Sequence, residues 1–495
     1  MKRFAVLAAL LIVSCTRVPQ QNAAPHHRVI FVGLDGADWQ LLDQYMANGI
    51  MPNLAAMVRG GDKRVLLTQH PPLSPLVWTT MMTGVSPLEH RILDFTRFDP
   101  VTRKKELITS DERAVPAIWN MATSRGKKVG VFGMWATDPP EPGVIASQSM
   151  VASHASNVWQ RTVEETETTH RLAREWIAKN EPDLAIVYFE GTDIVGHLFA
   201  QRGSPIPQQY FARIDQILGD YRTLAAQLDA TLIIASDHGF DWFTKRAPET
   251  SSATPTAAKW HRDEGIFLGF SPHRRALTTI TRSSMSVVTI CPMLLRLIGL
   301  PTDVYEYRRG WHRAAAGATP AMDEKLKTLI TCGYIDAGDL RPPEMASTRT
   351  SGSYNNEGVI LRERERNDEA ATEFEYALRV DPKNASAMWN LSDLLHHLNR
   401  DTRRADALLD AAIAIDPNQP RWLLARGRYA LQSRRCDKAL DDFKRAVDLA
   451  PNDALAFASL GAAEGCLGNE KAAQDAFRKS LAIDPNQPEL RRLFP

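Results

Sequence analysis

Short apolar runs alternate with amphipathic stretches through the first two thirds of the chain. The clearest runs are residues 29–34, 129–133, 184–189 and 232–235. Each is short and almost wholly apolar, which is typical of strands that helices cover on both faces of a parallel sheet. Between the runs, apolar residues recur at helical spacing, as in Leu41, Leu42, Tyr45 and Met46. The alternation predicts an α/β domain over residues 28–315, with a mainly parallel sheet sandwiched by helices.

After residue 350 the pattern changes to a repeat with a period of about 34 residues. Prolines mark the end of each unit, at Pro382, Pro417, Pro451 and Pro485. Small and bulky landmarks recur inside the units, for example Gly358, Phe374, Gly427, Phe443, Gly461 and Phe477. Residues 351–485 resemble four tetratricopeptide repeats, which implies an all-α solenoid in which each helix pair is buried by its neighbour. Residues 316–350 are predicted to connect the two parts, and residues 486–495 to begin a capping helix.

The N-terminal residues predict export. Lys2 and Arg3 precede an apolar run over residues 4–13, which is shorter than the roughly 20 residues that span a bilayer. The segment that ends at Cys15 resembles a bacterial lipobox, whose cysteine receives a lipid. We therefore expect a signal peptide over residues 1–15, a tether over 16–27, and a membrane anchor on the periplasmic side of the outer membrane. Plain secretion and a buried N-terminal strand are the alternatives.

Charge and cysteine content narrow the classes of partner. The 495 residues carry a formal net charge of +1, so no bulk positive field predicts a nucleic-acid partner. The other cysteines are Cys291, Cys332, Cys436 and Cys466, and their spacing is not that of a zinc cluster. Cys436 and Cys466 fall at helix ends that antiparallel packing brings together. They are expected either to form a disulfide or to be two small buried thiols.

Acidic residues and histidines follow the predicted strands. Asp35 follows the first run, Asp193 follows the third after a short turn, and Asp237 with His238 follow the fourth. In open parallel sheets, ligands bind beyond the carboxyl ends of the strands. Three carboxylates gathered at one edge repel one another, and divalent metal ions would relieve that repulsion. His197 lies one helical turn after Asp193, and the remaining candidate ligand is His261, so the sequence predicts a metal centre.

The segment PPLSPLVWTTMMTG, residues 71–84, adds a candidate nucleophile. Together with Asp35, the Ser-Asp-His-Gly motif at 236–239 and the histidines above, it resembles the alkaline phosphatase superfamily. The similarity is to the branch that contains type I phosphodiesterases and nucleotide pyrophosphatases, over roughly residues 28–300. In that family a Ser or Thr ten residues before the Gly of a Thr-Gly pair is the nucleophile, which here is Ser74.

The resemblance implies two metal-ligand sets and a covalent mechanism. One ion would be held by Asp35, Asp237, His238 and the Ser74 oxygen. A second ion would be held by the remaining three residues, Asp193, His197 and His261. The expected ions are Zn²⁺, with Mn²⁺ as the alternative, and they favour in-line displacement at phosphorus. A phosphoserine intermediate at Ser74 is therefore expected, because metal coordination activates a serine hydroxyl.

Two positions depart from the family pattern. Nucleotide pyrophosphatases carry an Asn three residues after the nucleophile, and that position is Val77 here. Pro75 follows Ser74 directly and has no backbone N–H to offer a phosphate oxygen. Nucleotide specificity is therefore not supported, and the context of a sulfatase nucleophile is also absent.

Three functions are compatible with the sequence. The first is a phosphoester hydrolase, acting on monoesters or diesters, with the repeats binding a protein or peptide partner. The second is a binding protein whose repeats recruit a partner beside an idle α/β domain. The third is a phosphotransferase that passes the phosphoryl group to an acceptor other than water. If the repeats serve only recruitment, removing residues 351–495 should spare turnover of small esters.

Overall fold

The computed structural model describes residues 27–99, 104–200, 204–243, 260–271, 284–311, 323–335 and 348–493. The predicted signal peptide and Cys15 lie outside these ranges, as does most of the predicted tether. None of the helices in the described ranges combines the length and apolarity needed to cross a membrane.

The strands of the first part are short. Their bounds are β1 Arg28–Leu34, β2 Asp62–Leu67, β3 Thr96–Phe98, β4 Lys105–Leu107, β5 Val129–Phe132, β6 Val144–Ala146, β7 Leu184–Phe189, β8 Ala230–Ala235, β9 Gly239–Phe240, β10 His261–Arg262, β11 Glu264–Phe270 and β12 Ser284–Ser286. The helices among them are α1 Trp39–Ala47, α2 Pro52–Gly60, α3 Ser74–Thr83, α4 Pro87–His90, α5 Ile118–Ser124, α6 Gln148–Val151, α7 Val158–Asn180, α8 Gly191–Phe199, α9 Ile206–Gln227, α10 Ile290–Leu297 and α11 Asp323–Thr331.

Within the described residues, eight strands form one sheet in the order β12-β2-β11-β8-β1-β7-β5-β6. The five strands from β8 to β6 pair in parallel, and β11 is antiparallel to both of its neighbours. Strand β1 lies between β7 and β8, with Leu34 opposite Phe189 and Gly33 opposite Ala235. The carboxyl ends of these three parallel strands therefore meet at one edge. The predicted fold class, a mainly parallel sheet followed by a helical solenoid, is confirmed.

Helices cover both faces of the sheet. Along β1, Val29 and Phe31 face a core built with α3, α5 and α10. Ile30, Val32 and Leu34 face the opposite core, built with α1, α2, α7 and α9. All five side chains are buried, and an apolar side chain contributes about 1.5–3 kcal/mol when it is fully buried. This two-sided burial explains why the strand is a continuous apolar run.

The last third is a series of antiparallel helix pairs. Their bounds are α12 Ser351–Glu363, α13 Asn367–Val380, α14 Ala385–His397, α15 Thr402–Ile415, α16 Pro420–Gln432, α17 Cys436–Leu449, α18 Ala454–Cys466, α19 Glu470–Ile483 and α20 Pro488–Leu493. The landmark glycines have a packing role, since a Cβ at Gly358 or Gly427 would collide with the ring of Phe374 or Phe443 on the paired helix. The periodic signal in the sequence thus comes from close contact inside each pair.

The first repeat packs on the α/β part. Ile360 of α12 is buried in an apolar cluster with Leu76 of α3 and Leu93. Polar contacts surround this cluster: Arg91 donates to Glu357 at 2.9 Å, and Thr350 donates to the buried Asp94 carboxylate. Asn356 Nδ2 also donates to the Leu93 carbonyl at 2.9 Å. The helix that begins at Ser74 therefore rests on the repeat module.

A disulfide joins Cys436 at the start of α17 to Cys466 at the end of α18. The two Cα atoms are 5.9 Å apart, which is within the usual range for a disulfide. Of the two alternatives that the sequence left open for these cysteines, the structure contains the disulfide, whereas Cys291 and Cys332 are buried thiols.

We expect Cys436→Ser to lower the free energy for opening α17 and α18 by about 3 kcal/mol, because the bridge closes a loop with a sequence separation of 30 residues. Hydrogen exchange of peptides from these helices measures this change. A reductant should produce the same loss in the unmodified protein and no further loss in Cys436→Ser. Equal protection in both proteins under oxidising conditions would contradict the expected contribution.

Candidate active site

The site lies where the three central parallel strands end. Asp35 follows β1, and its backbone carbonyl accepts a hydrogen bond from the Thr192 hydroxyl at 2.5 Å. Asp193 is in the first turn of α8, directly after β7, and Asp237 follows β8. The side chains of all three aspartates are almost wholly buried. Because the strands are adjacent and in register, their short following turns bring the three carboxylates together.

The first group of potential ligands consists of Asp35, Asp237 and His238. His238 Nε2 lies 3.4 Å from Asp35 Oδ1 and 3.4 Å from Asp237 Oδ2. The Ser74 hydroxyl donates a hydrogen bond to Asp35 Oδ1 at 3.2 Å. The structure therefore brings the predicted nucleophile and the predicted ligands of the first ion to one point.

Gly33 of β1 allows close packing of helix α3, which begins at Ser74. Ser74 is the first residue of α3, and Trp78 follows it by one turn. A Cβ at Gly33 would lie only 2.7 Å from the Trp78 ring, so a larger residue would push α3 away from β1. Trp78 Nε1 in turn donates to Asp35 Oδ2 at 3.2 Å. These contacts place Ser74 against the end of β1.

The second group consists of Asp193, His197 and His261. The Nε2 atoms of the two histidines are 3.1 Å apart, and Asp193 Oδ1 lies 3.4 Å from His197 Nε2 and 3.6 Å from His261 Nε2. His261 Nδ1 is 2.6 Å from the Pro72 carbonyl, so Nδ1 carries the proton and Nε2 is left as the ligand atom. The i, i+4 spacing of Asp193 and His197 on α8 puts both on one helix face.

The two ligand groups are in direct contact. The rings of His238 and His261 stack with their centroids 3.7 Å apart, and one ring belongs to each group. Ligand atoms within each group lie within 4.8 Å of one another. The seven residues proposed from the sequence as ligands and nucleophile therefore form one continuous cluster.

Burial and mutual repulsion raise the pKa values of two of the carboxylates. Burial raises the pKa of Asp35 well above its usual value, and the carboxylates of Asp237 and Asp193 raise it further. Burial and the nearby Asp193 raise the pKa of Asp237 to about 8. Burial also favours a higher pKa for Asp193, but its attraction to His197 and His261 lowers that pKa below the usual value. The histidines therefore offset burial and repulsion at Asp193 but not at Asp35 and Asp237.

The donor set fits divalent cations. Among the described residues, the buried atoms Asp193 Oδ1, Asp237 Oδ2 and His238 Nε2 have no hydrogen-bond partner. A nearby cation, the buried ammonium of Lys325, forms an ion pair with Glu190. Carboxylate oxygen and imidazole nitrogen are ligands for Zn²⁺ and its relatives, and such ions would satisfy these unpaired atoms.

Two tyrosines at the site were not predicted. Tyr188 of β7 donates a hydrogen bond to Asp35 Oδ2, and the Tyr334 hydroxyl donates one to Asp193 Oδ2. The position of Tyr188 in a buried strand indicated a polar contact, because the hydroxyl of a buried tyrosine usually requires a polar partner. No pattern in the sequence indicated that Tyr334 lies at the site, since it falls in the segment 316–350 that was predicted to be a connection. The structure instead places α11 and Tyr334 of that segment against the site.

The two departures around Ser74 have structural consequences. Val77, at the position of the Asn of nucleotide pyrophosphatases, is fully buried in the apolar core. The backbone N–H groups of Leu76 and Val77 donate to the Leu73 carbonyl at 3.0 Å. Neither N–H group is available to a phosphate oxygen in this arrangement.

The family model for type I phosphodiesterase / nucleotide pyrophosphatase matches residues 29–290, more than half of the chain. The chain belongs to this family. The model for the tetratricopeptide repeat matches residues 355–420 and 424–488. The family resemblance predicted from the motifs is confirmed, and it supports a phosphoester hydrolase of a metal-dependent family joined to a partner-binding repeat module.

Solved structures with similarity to this family member match its two parts separately. Phosphonoacetate hydrolase from Sinorhizobium meliloti 1021 has 20% identity and a TM-score of 0.37, and the match covers 46% of this chain and 59% of that chain. MamA from Desulfovibrio magneticus RS-1 has 22% identity and a TM-score of 0.27, covering 28% of this chain and 78% of that chain. YrrB, a TPR protein with an unusual peptide-binding site, has 23% identity and a TM-score of 0.27, covering 29% and 73%.

Proposed function

We propose that this protein is an exported, lipid-anchored, two-metal phosphoester hydrolase that acts through a phosphoserine intermediate at Ser74. The observation that carries the proposal is the Ser74 hydroxyl, 3.2 Å from Asp35 Oδ1 inside a buried cluster of three carboxylates and three imidazoles. Membership of the type I phosphodiesterase family supports the same reaction class. The complete ligand set favours an enzyme over an idle scaffold, because no residue of the cluster is replaced by an unsuitable type.

The first ion would be held by Asp35, Asp237 and His238 together with the Ser74 oxygen. The second would be held by the group around Asp193. When bound, two such ions supply positive charge next to the attacking and leaving oxygens of an in-line displacement. The residues themselves fix the geometry, since each aspartate also accepts a hydrogen bond from a neighbouring side chain or backbone N–H.

The chain supplies the nucleophile. Ser74 Oγ forms a bond to phosphorus while the bond from phosphorus to the leaving oxygen breaks, and the serine proton ends on the released alcohol. Water then hydrolyses the Ser74 phosphoester, which restores the hydroxyl and releases the phosphate product. The buried position of Ser74, with 2% of its surface exposed, excludes bulk water from the reacting atoms before substrate binds.

The substrate is a phosphate ester, and a diester is as compatible with the site as a monoester. The repeats would hold a protein or peptide partner, since stacked helix pairs form an extended groove. A lipid on Cys15 would hold the enzyme at the bacterial cell envelope, on the periplasmic side of the outer membrane. Cys15→Ala should then move the protein from the membrane fraction to the soluble fraction, and persistence in the membrane fraction would exclude this anchor.

A panel of phosphate monoesters and diesters, assayed with defined ions, tests the proposed reaction. We expect turnover with Zn²⁺ or Mn²⁺, loss of turnover with a chelator, and about two ions per chain by elemental analysis. His238→Ala should lower kcat/KM on the order of 100-fold or more, because it removes a ligand of the first ion.

The matched control is His154→Ala, since His154 is exposed and belongs to neither ligand group. It should keep full turnover. Lack of turnover of every ester by the metal-loaded protein would contradict the proposed hydrolase and favour the scaffold. Product analysis with an added alcohol separates hydrolysis from phosphoryl transfer.

A further inference from the structure

The hydroxyl of Tyr334 lies inside the second ligand group. Its oxygen is 2.9 Å from His197 Nε2 and 3.2 Å from His261 Nε2, and it donates a hydrogen bond to Asp193 Oδ2. Only 7% of Tyr334 is exposed. The same oxygen thus contacts all three residues of the group, including the ring nitrogens that would bind the ion.

These atoms have the spacing of a tetrahedron. Four ligands that surround an ion at about 2.0 Å are separated from one another by about 3.3 Å. The two histidine nitrogens are 3.1 Å apart, and they lie 3.4 and 3.6 Å from Asp193 Oδ1. Tyr334 adds separations of 2.9 and 3.2 Å from the same nitrogens. Five of the six separations within this set of atoms are therefore close to the tetrahedral value, and the Tyr334 hydroxyl contacts Asp193 through Oδ2.

Helix α11 fixes the position of this tyrosine. Lys325 pairs with Glu190, the residue directly before α8, and the Arg161 guanidinium donates two hydrogen bonds to Thr328 Oγ1 at 3.0 and 3.2 Å. The Tyr334 backbone N–H closes the turn after α11 by donating to Leu329 O at 2.8 Å. Both side-chain anchors join α11 to elements that surround the second group. The phenol is therefore held in place by tertiary contacts.

Tyr188 provides a useful contrast at the first group. Its hydroxyl accepts a hydrogen bond from Trp135 Nε1 at 2.8 Å and donates one to Asp35 Oδ2. Tyr188 thus orients the Asp35 carboxylate through its Oδ2 atom. Tyr334 differs because its oxygen also contacts two ligand nitrogens, in addition to one carboxylate.

We propose that Tyr334 is the fourth ligand of the second divalent ion, an assignment that rests on the proposed two-metal function. A site with four protein ligands is closed, whereas a catalytic site usually keeps one position open. The phenol would therefore retain the ion in the resting enzyme, and a substrate oxygen would reach the ion as a fifth ligand. Among the described residues, the segment 323–335 supplies this contact from outside the region that the family model matches.

The test is Tyr334→Phe in the full chain, titrated with Co²⁺ and with Zn²⁺ in competition. We expect the second ion to bind about 10 to 100 times more weakly, the range seen when supporting groups at metal sites are removed. The visible absorption of Co²⁺ in the second group should also change, because its intensity depends on coordination number. Binding of the first ion should weaken less than binding of the second, because the ligands of the first ion are unchanged.

Two comparisons separate coordination from packing. Tyr307→Phe removes a hydroxyl that donates to Pro301 O, away from both groups, and should leave ion binding unchanged. Tyr334→His offers a nitrogen in place of the phenol oxygen and should recover part of the lost affinity. Phenylalanine keeps the ring contact with Phe95, whose centroid is 4.6 Å away, so the fold should be retained and the metal-free unfolding midpoint should fall only by the contribution of one buried hydrogen bond.

Equal affinity and an equal Co²⁺ spectrum in Tyr334→Phe would overturn the assignment. This result is distinguishable from failure of the proposed function. If the unmodified protein binds no second ion, the two-metal function itself is wrong. If it binds two ions and Tyr334→Phe binds them equally well, only the role of the tyrosine is wrong.

Discussion

Ser74→Ala is expected to lower kcat/KM for phosphate esters by about 10³-fold or more, because removal of a covalent nucleophile leaves only binding and electrostatic contributions. The Ser74 oxygen is one of several ligands of the first ion, so the variant should still take up two ions when metal is in excess. Steady-state kinetics on the best substrate of the ester panel, with elemental analysis of the same sample, measure both quantities.

The conservative replacement Ser74→Thr is the matched control, since it keeps a hydroxyl at the same position. It should retain measurable turnover, and rapid quenching of it or of the unmodified protein should trap one phosphoryl group on residue 74. If Ser74→Ala turns over at the unmodified rate with both ions bound, Ser74 is not the nucleophile. Water would then have to attack the substrate directly.

Removing all the repeats is expected to destabilise the catalytic part. A chain that ends before residue 348 loses Ile360 from its cluster with Leu76 and Leu93 and leaves the buried Asp94 without its Thr350 hydrogen bond. Loss of one buried apolar side chain and one buried hydrogen bond costs about 3–6 kcal/mol. We expect a lower thermal midpoint and a lower kcat, measured by calorimetry and by turnover. A chain that ends after α15 keeps the apolar cluster between the first repeat and α14, and it should keep both values close to those of the full protein.

Point variants test the same contact without truncation. Ile360→Ala should lower the free energy of unfolding by about 2–5 kcal/mol, because only 4% of Ile360 is exposed. Ile483→Ala is the matched control, since 38% of that residue is exposed at the end of α19. Unchanged stability and turnover after removal of residues 348–495 would show that the repeats are an independent appendage. That was the expectation if they served only recruitment.

Site residues could be predicted where their short spacing from a strand or along a helix determines where they lie in the fold. Asp35 and Asp237 follow apolar strands within one or two residues, so the order of the strands is sufficient to place them at one edge. His197 is placed by helical spacing from Asp193. The repeats were recognisable because each landmark, such as Gly358 against Phe374, is a contact between sequence neighbours.

Contacts between distant segments could not be predicted. Tyr334 reaches His197 over 137 residues, through a helix whose position depends on Lys325 and Glu190 rather than on its own periodicity. Likewise, the apolar pattern of α12 indicates that Ile360 is buried, but it does not indicate that the buried surface belongs to α3. Such contacts depend on how helices and strands that are distant in sequence pack together, and a single sequence contains little information about that packing.

The stacked rings of His238 and His261 have a consequence for metal uptake. Each ring belongs to a different ligand group, so an ion that fixes one imidazole also restricts the other. Coupling between two binding events is reciprocal, and we expect the two ions to load cooperatively, as one steep step in a calorimetric titration. Two independent steps would exclude this coupling. If the two ions do bind cooperatively, a sample with limiting metal is a mixture of empty and fully loaded molecules. Its activity would rise abruptly once the supply of metal passes a threshold.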